Sequence, residues 1–390
     1  MIKSDKILII PFAMMKTEKE VIARVTFSDD QILLSPENDS EYLGIISPSL
    51  NILKEKGMDS FVVCVKSPGR DGRIGAWLKE NEKWVPISHL KLPGPGMLSL
   101  TLVRDIIDEF PIINPLKEIK HKRAVQTFGE MEWEIFTSLT YTVVGCGRLG
   151  SLISSILVRA GVERVYFIDP DRIELHNIDS SFEIKGTDIG KSKVMALANA
   201  LSNTGSATEI IPVEKSIDSW DALDAIRNSD IVISCVDNAG ARLCTSILCV
   251  LFLKPHLDIG AGVLSDEDQE FGIDVRLIIP PYGCISCNGG AGDEREIEGF
   301  FNNIIPISPS QRGGWSNVNL ISAGIGMELL RRLISAETLE NLWVRISWKK
   351  GDIPSFRWME RKPSKCPLCS EIMGRGERGL IKGFEKIKGG

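Results

Sequence analysis

A glycine turn between a strand and a helix, followed about twenty residues later by an acidic strand end, constrains this chain more than any other feature. Tyr141-Thr142-Val143-Val144 is a β-branched run of the kind that buries as a strand, and it stops at Gly145-Cys146-Gly147-Arg148-Leu149-Gly150. Apolar residues then recur at helical spacing (Leu152, Ile153, Ile156, Leu157), and a second apolar run, Val165 to Ile168, ends in Asp169-Pro170-Asp171. Strand, Gly-x-Gly-x-x-Gly, helix, strand and acid is the opening of a nucleotide-binding βαβ unit. In such a unit Gly145 permits the tight turn, Gly147 lets backbone N–H groups approach a phosphate, and Gly150 lets helix and strand pack closely. The helix N-terminus adds a positive dipole for the anion.

The rest of the chain extends this pattern. From Tyr141 to about Val263 strands alternate with helices: helix at 191–202, strand at 209–213, helix at 220–226, strand at 231–234. Alternation of this kind predicts an α/β fold with a doubly wound, mainly parallel, Rossmann-like sheet. A further strand is expected at 271–279, a polar mobile loop at 293–314 and an amphipathic helix at 318–334. Residues 1–95 have a different texture, with strand-like runs at 7–10, 21–27, 32–34 and 61–65 and a helix-like stretch at 50–56. They are expected to form a separate small α+β domain, ending at the breaker Leu92-Pro93-Gly94-Pro95-Gly96. Residues 96–138 read as a helical connector interrupted by Pro111 and Pro115, residues 139–370 as the nucleotide domain, and 371–390 as a flexible tail.

A net charge of −6 gives no footprint for nucleic acid. No apolar stretch reaches membrane-spanning length without a charge, and the N-terminal run Ile7–Ile10 is too short for a signal-peptide core. The cytoplasm is the expected location. Nine cysteines do not form an even disulfide set. Four of them make two Cys-x-x-Cys knuckles, Cys284/Cys287 and Cys366/Cys369. Each knuckle places two thiolates on one turn, and two knuckles complete a tetrahedral sulfur cage for Zn²⁺. With no open coordination position such a zinc is structural, and it would clip the C-terminal segment back onto the nucleotide domain. Cys64, Cys146, Cys235, Cys244 and Cys249 lie in apolar surroundings and read as ordinary buried thiols.

Several polar residues are expected at the strand ends, where the ligand crevice of such a sheet lies. Asp169 suits the ribose hydroxyls, with Asp171 a spare carboxylate beside it. The strand 230–238 delivers Asp237 and Asn238 to the same edge, where a carboxylate could hold Mg²⁺ against nucleotide phosphates. Gly190-Lys191-Ser192-Lys193 opens a helix and offers cations to a triphosphate.

Together these motifs resemble the superfamily of ubiquitin-activating and sulfur-carrier-adenylating enzymes, the ThiF/MoeB-like fold, over about residues 123–370. They are the glycine turn with Arg159-Ala-Gly-Val162, Asp169-x-Asp171 with Glu174 and Asn177, Asp188-x-Gly190-x-x-Lys193, Asp237-Asn238-x-x-x-Arg242 and the paired knuckles. The resemblance implies that ATP and Mg²⁺ activate a C-terminal glycine carboxylate as an acyl-adenylate. It implies that Gly145, Gly147, Arg148 and Gly150 hold the nucleotide, Asp169 its ribose, Asn177 and Lys193 its phosphates, and Asp237 the Mg²⁺. Arg123 resembles the arginine that reaches a neighbouring subunit's ATP in a homodimer. Two departures stand out. The Arg-Gln pair that follows the family's Asn-Leu-x is Ser180-Ser181 here, which removes a bidentate phosphate contact, with Arg148, Lys191 or Arg123 as substitutes. The loop 288–317 carries no acceptor cysteine but has Ser308, Ser310 and Ser316, so either the adenylate passes directly to an external acceptor or a loop serine takes it as an oxyester.

The leading expectation is an enzyme that adenylates a ubiquitin-like or sulfur-carrier protein, with a conjugating enzyme as a further candidate partner. The alternatives are a peptide-modifying relative whose residues 1–95 clamp a leader peptide, a non-catalytic partner that presents a substrate, and an NAD-dependent dehydrogenase. The last leaves the Asp237-Asn238 strand end and the knuckles without a role.

Overall fold

The computed structural model describes the strands before Thr101 and then residues 115–379, apart from 180, 266–269, 281, 291–315, 339, 350–354, 362–365 and 367–368. The first part holds β1 (Ile7–Ile9), β2 (Val21–Phe27), β3 (Gln31–Pro36), β4 (Leu43–Ile46) and β5 (Ile52–Lys54). It continues with β6 (Val62–Lys66), β7 (Gly75–Glu80), β8 (Lys83–Pro86), β9 (His89–Leu92) and β10 (Leu98–Thr101). They form a six-stranded sheet in the order β10-β9-β1-β3-β2-β4 and a four-stranded sheet β5-β6-β7-β8.

Three expectations are corrected here. The helix-like stretch at 50–56 contains a strand, because Ile52–Lys54 pairs antiparallel with Val62–Cys64; a short apolar run fits either period, and the cross-strand partner decides. The described residues up to Thr101 are strands. The Pro-Gly breaker does not end the unit, since Leu98–Thr101 pairs back onto His89–Leu92. Pro115 does not interrupt a helix either. It opens the helix Pro115–Phe128, where its missing N–H costs nothing.

The second part is built on one eight-stranded sheet. Its strands are β11 (Thr140–Val144), β12 (Arg164–Ile168), β13 (Glu209–Val213), β14 (Ile231–Ser234), β15 (His256–Ser265), β16 (Glu270–Ile278), β17 (Asn341–Lys349) and β18 (Ser355–Arg361). The order is β13-β12-β11-β14-β15-β16-β17-β18. The first five are parallel, and the last three are added antiparallel. The winding reverses between β11 and β14, which opens a crevice above their carboxyl ends.

Side chains alternate between the two faces and feed two apolar clusters. Val143, Val165, Phe167, Ile231 and Ile233 point into one, together with helix Arg148–Ala160, helix Lys193–Ser202 and helix Ser316–Ile334. Val144, Ile168 and Val232 point into the other, with helix Trp220–Asn228 and helix Ala239–Leu251. Helices on both faces make the sheet doubly wound. Helix Arg148–Ala160 shows how the pattern works locally: Leu149, Leu152, Ile153 and Leu157 are buried, and Gly161, at φ 81°, caps it by donating to the Leu157 and Val158 carbonyls.

The tail expected to be flexible from residue 371 is corrected as far as Gly379. Ile372 and Met373 are buried in the second cluster, and the Gly374 N–H donates to the Val250 carbonyl at 3.0 Å. Residues 380–390, and the loop expected at 293–314, lie outside the described residues. Among the described residues no helix is long and apolar enough to cross a membrane.

Candidate nucleotide site and cysteine cage

The glycine turn closes on itself. Gly145 has φ +85° and its N–H donates to the Ile168 carbonyl at 2.8 Å. A Cβ on Gly150 would lie 1.8 Å from the Gly145 carbonyl oxygen, so only glycine lets the helix start so close to the strand. At Gly147 an added Cβ would meet nothing within 4 Å. The backbone there faces open space at the helix N-terminus, as an anion-binding turn requires. Arg148 is the first residue of that helix and is half-buried.

Asp169 locks the turn to the next strand. It is only 6% exposed. One carboxylate oxygen accepts the Cys146 N–H at 2.7 Å and the other the Asp171 N–H at 2.9 Å. Burial pushes its carboxyl above the usual range, against the pull of Lys193 and these N–H donors.

Lys193 is brought in by a short ladder between two loops. The Ile173 N–H donates to the Lys191 carbonyl, and the Lys193 N–H donates to the Asp171 carbonyl. The Lys193 ammonium then lies 2.8 Å from Asp171. Burial works against this charge, but Asp169, Asp171 and Asp237 outweigh it and hold the lysine above its ordinary pKa. Asp171, spare in the sequence reading, is thus the ion-pair partner of Lys193. Lys191 is exposed and turned to Asp188 at 2.8 Å.

Asp237 is exposed at the end of β14, and among the described residues its carboxylate has no hydrogen bond or ion pair. Asn238 beside it caps helix Ala239–Leu251 by accepting the Ala241 N–H at 3.0 Å. Asn177 has a similar local duty, accepting the Glu174 N–H at 2.9 Å and leaving its amide nitrogen as the donor. Glycine turn, Lys193 and three aspartates therefore share one edge of the sheet.

The four knuckle cysteines meet at the second apolar cluster, the one that holds helix Ala239–Leu251. Cys284–Cys366, Cys284–Cys287 and Cys287–Cys369 sulfurs are 3.9 Å apart, and all four lie within 4.8 Å of one another. A tetrahedral Zn²⁺ with bonds of about 2.3 Å needs sulfur separations of roughly 3.8 Å. The donor set and its spacing fit zinc, and no disulfide is formed.

Comparison with known proteins places these features. The sequence model of the ThiF family matches residues 120–368. The chain belongs to the ThiF family. Among curated proteins it is 34% identical to adenylyltransferase and sulfurtransferase MOCS3 of Caenorhabditis briggsae over 259 residues, 63% of this chain and 58% of that one. It is 28% identical to MOCS3 of Bos taurus over 236 residues, 59% of this chain and 48% of the relative. The chain thus spans about half the length of the curated relatives it matches. Among solved structures, the microcin C7 biosynthetic enzyme MccB in complex with N-formylated MccA aligns with a TM-score of 0.51 and 19% identity. That alignment covers 66% of this chain and 75% of that one, and it shows the shared fold.

The ThiF segment also contains features the sequence reading missed. β17 and β18 were not expected, because Arg345, Lys349, Arg357 and Arg361 interrupt their apolar pattern. A buried ionic group, Asp258 with Arg242 and Arg276, lies behind the Asp237 turn; its only sequence signal was Arg242 in the Asp-Asn-x-x-x-Arg motif. Other expected residues fall elsewhere. Arg123 is exposed on helix Pro115–Phe128. Ser316 begins helix Ser316–Ile334, Ser181 donates its N–H to the Asn177 carbonyl at 2.9 Å, and Ser180, Ser308 and Ser310 lie outside the described residues. Cys146, Cys244 and Cys249 are buried and Cys235 is half-buried. Burial pushes all four thiols up, so none is a ready nucleophile. The side chain of Cys64 lies outside the described residues.

Proposed function

We propose that this chain is an ATP-dependent adenylyltransferase that activates the C-terminal glycine carboxylate of a ubiquitin-like or sulfur-carrier protein. The observation that carries the reading is Lys193, held by Asp171 beside the open glycine turn and under the field of Asp169 and Asp237. Membership of the ThiF family and likeness to MOCS3, an adenylyltransferase by name, support it.

In this reading the acceptor carboxylate oxygen attacks the α-phosphorus of ATP. The bond to the bridging oxygen breaks, and pyrophosphate leaves with the electron pair. Gly145, Gly147, Arg148 and Gly150 cradle phosphate, and the helix N-terminus favours its charge. The Asp169 oxygens are engaged by two N–H groups, so the carboxylate keeps a fixed orientation toward the ribose hydroxyls. Lys193 opposes the charge growing on the leaving pyrophosphate, and Asn177 adds an amide donor. Asp237 fits Mg²⁺, as an exposed carboxylate at the sheet edge; bound there, the ion would neutralise phosphate charge. The four cysteines would hold a zinc that closes the loop from Cys284 to Cys366 and takes no part in chemistry.

By the family resemblance Arg123, exposed on its helix, would reach the site of a second copy of the chain, so a homodimer is part of the proposal. The adenylate then passes directly to an external acceptor, or to a loop serine among Ser308, Ser310 and Ser316. A precursor peptide is the second reading of the substrate. The ten strands ahead of the matched region favour it, because a sheet edge can bind an extended peptide. The MccB structure that shares the fold is a complex with N-formylated MccA. Pyrophosphate exchange tests both. The zinc-loaded chain should exchange label into ATP only with an acceptor bearing a free C-terminal carboxylate. A β-grasp protein ending in Gly-Gly and a short peptide separate the two readings. A folded, ATP-binding chain that exchanges with neither contradicts the proposal.

A further inference from the structure

A polar path, buried at Asp258 and Arg276, joins the cysteine cage to the Asp237 turn. At one end is Arg242, in the first turns of helix Ala239–Leu251. It reaches back to donate to the Val236 carbonyl at 2.7 Å, the residue before Asp237. Its Nε lies 3.0 Å from Asp258 Oδ1. Asp258, on β15, is wholly buried and also receives the Ser234 hydroxyl at 2.8 Å. Its other oxygen is 3.4 Å from Arg276 on β16. Arg276 is 5% exposed, stacked at 4.6 Å over Trp343 and paired with Asp274. Its second Nη donates to the Gly289 carbonyl at 3.3 Å.

Gly289 belongs to the turn that follows the first knuckle. That turn is built tightly against Arg276, because a Cβ on Gly290 would lie 3.2 Å from the guanidinium carbon. Asn288 links the turn to its cysteine by donating to the Cys284 carbonyl at 2.8 Å, and Asn341 holds Asn288 in turn at 3.1 Å. Each step of the path is a charged or amide contact with little freedom. Charged partners buried together fix one another's positions, since moving one strands the other's charge away from water.

We infer that Arg276, Asp258 and Arg242 are positioning residues that transmit the order of the zinc knuckle to the Asp237 turn. Zinc then does more than clip the C-terminal segment. By holding Cys284 and Cys287 it holds Gly289, which sets Arg276, which sets Asp258 and through Arg242 the carbonyl before Asp237. The effect on catalysis rests on the adenylation reading above, while the physical coupling does not.

Hydrogen–deuterium exchange of the full chain tests the coupling directly. The Cys235, Ala241 and Arg242 amides are hydrogen-bonded, so a peptide covering 235–242 reports on the turn. Removing zinc with a chelator should raise exchange by about fivefold or more at 284–290 and also at 235–242, while β12 stays protected. In Asp258→Asn, with zinc content unchanged, exchange at 235–242 should already be raised, and chelation should add nothing there. A wild-type chain that opens at 284–290 but stays closed at 235–242 overturns the inference. So does an Asp258→Asn variant in which chelation adds the wild-type increment. If chelation also exposes β12, or Asp258→Asn does not fold, Arg276→Lys with zinc retained decides: unchanged exchange at 235–242 refutes the relay, and raised exchange there supports it. Where the chain does perform pyrophosphate exchange, Arg276→Lys should lower kcat with the KM for ATP unchanged. A chain inert with every acceptor removes the adenylation reading and leaves the amide result to stand alone.

Discussion

Asp169 and Asp237 end neighbouring parts of one sheet edge, yet the fold holds them in opposite ways. Asp169 is buried, and both its oxygens are fixed by backbone N–H groups of the glycine turn and its own loop. Asp237 is exposed, and what is fixed is the carbonyl before it, through Arg242 and the buried Asp258. The first carboxylate is part of the architecture of the turn. The second is an exposed carboxylate on a fixed backbone. On the adenylation reading the first would orient the nucleotide and the second would stay open to a metal.

The largest expected effect separates them. Asp237→Ala should lower pyrophosphate exchange by about 10³-fold or more, because the charge growing on pyrophosphate loses its metal. ATP binding without Mg²⁺ should barely change, and so should the urea midpoint. Asp169→Asn should do the reverse. Its amide nitrogen would face one of two N–H donors, leaving a buried donor unmatched at about 1–3 kcal/mol, with ATP affinity falling alongside stability. Exchange kinetics, calorimetric ATP titration and urea unfolding on both variants check this. Asp237→Ala with a wild-type exchange rate would break the comparison.

How much of this contrast was legible beforehand depends on distance along the chain. The glycine turn, the acid at the end of β12 and the knuckles are local spacings, and the alternation from Tyr141 to Val263 needs only periodicity. The grip on Asp169 could be guessed because turn and acid belong to one βαβ unit. The mount of Asp237 could not, because Asp258 sits inside an apolar run, His256-Leu257-Asp258-Ile259, and Arg276 lies inside β16. Only the order of strands in the sheet brings them together. Residues 371–379 misled for a related reason: Ile372 and Met373 look like isolated apolar residues until helix Ala239–Leu251 supplies their partner surface.

A middle-sized effect probes the Asp237 side with protons. Ser234 donates its hydroxyl to Asp258, so His256 must donate its Nε2–H to Ser234 at 2.8 Å. Burial comes first among the forces on His256 and pushes it down to about 4, with Arg242 acting in the same direction and Asp258 opposing. The folded value is below the unfolded one, so folding favours the neutral ring. That stability is complete above pH 6.5 and is lost as pH falls toward 4. By pH 4.5 the loss should reach about 2–3 kcal/mol. Asp169 works the other way, since its raised carboxyl adds stability as pH falls. The difference between the wild type and His256→Gln in urea, measured from pH 7 to 4.5, isolates the histidine. Parallel pH profiles for the two proteins would show that His256 does not titrate in this way.

The smallest effect probes the Asp169 side, in the segment that carries Ser180-Ser181. Phe182 donates its N–H to Ser151 at 2.8 Å, and Glu183 follows with φ +65°. A left-handed glutamate costs about 1–2 kcal/mol. Its carboxylate accepts from Arg159 at 2.8 Å and from the Ser155 hydroxyl at 2.9 Å. Arg159 is more than half exposed, so after solvent screening that ion pair returns only about 0.5 kcal/mol. Glu183→Gly removes both terms and should leave stability within about 1 kcal/mol of wild type. Glu183→Ala keeps the strained backbone while losing the partners, and should be about 1 kcal/mol less stable than the glycine variant. Urea midpoints of the two variants measure that difference directly. Neither should lower pyrophosphate exchange by more than about twofold, because Asp169 and Lys193 are oriented by loops that do not include Glu183. A Glu183→Gly variant as inactive as Asp237→Ala would mean that the segment bearing Ser180 and Ser181 itself grips the phosphates. The architectural side of the crevice would then also be a chemical one.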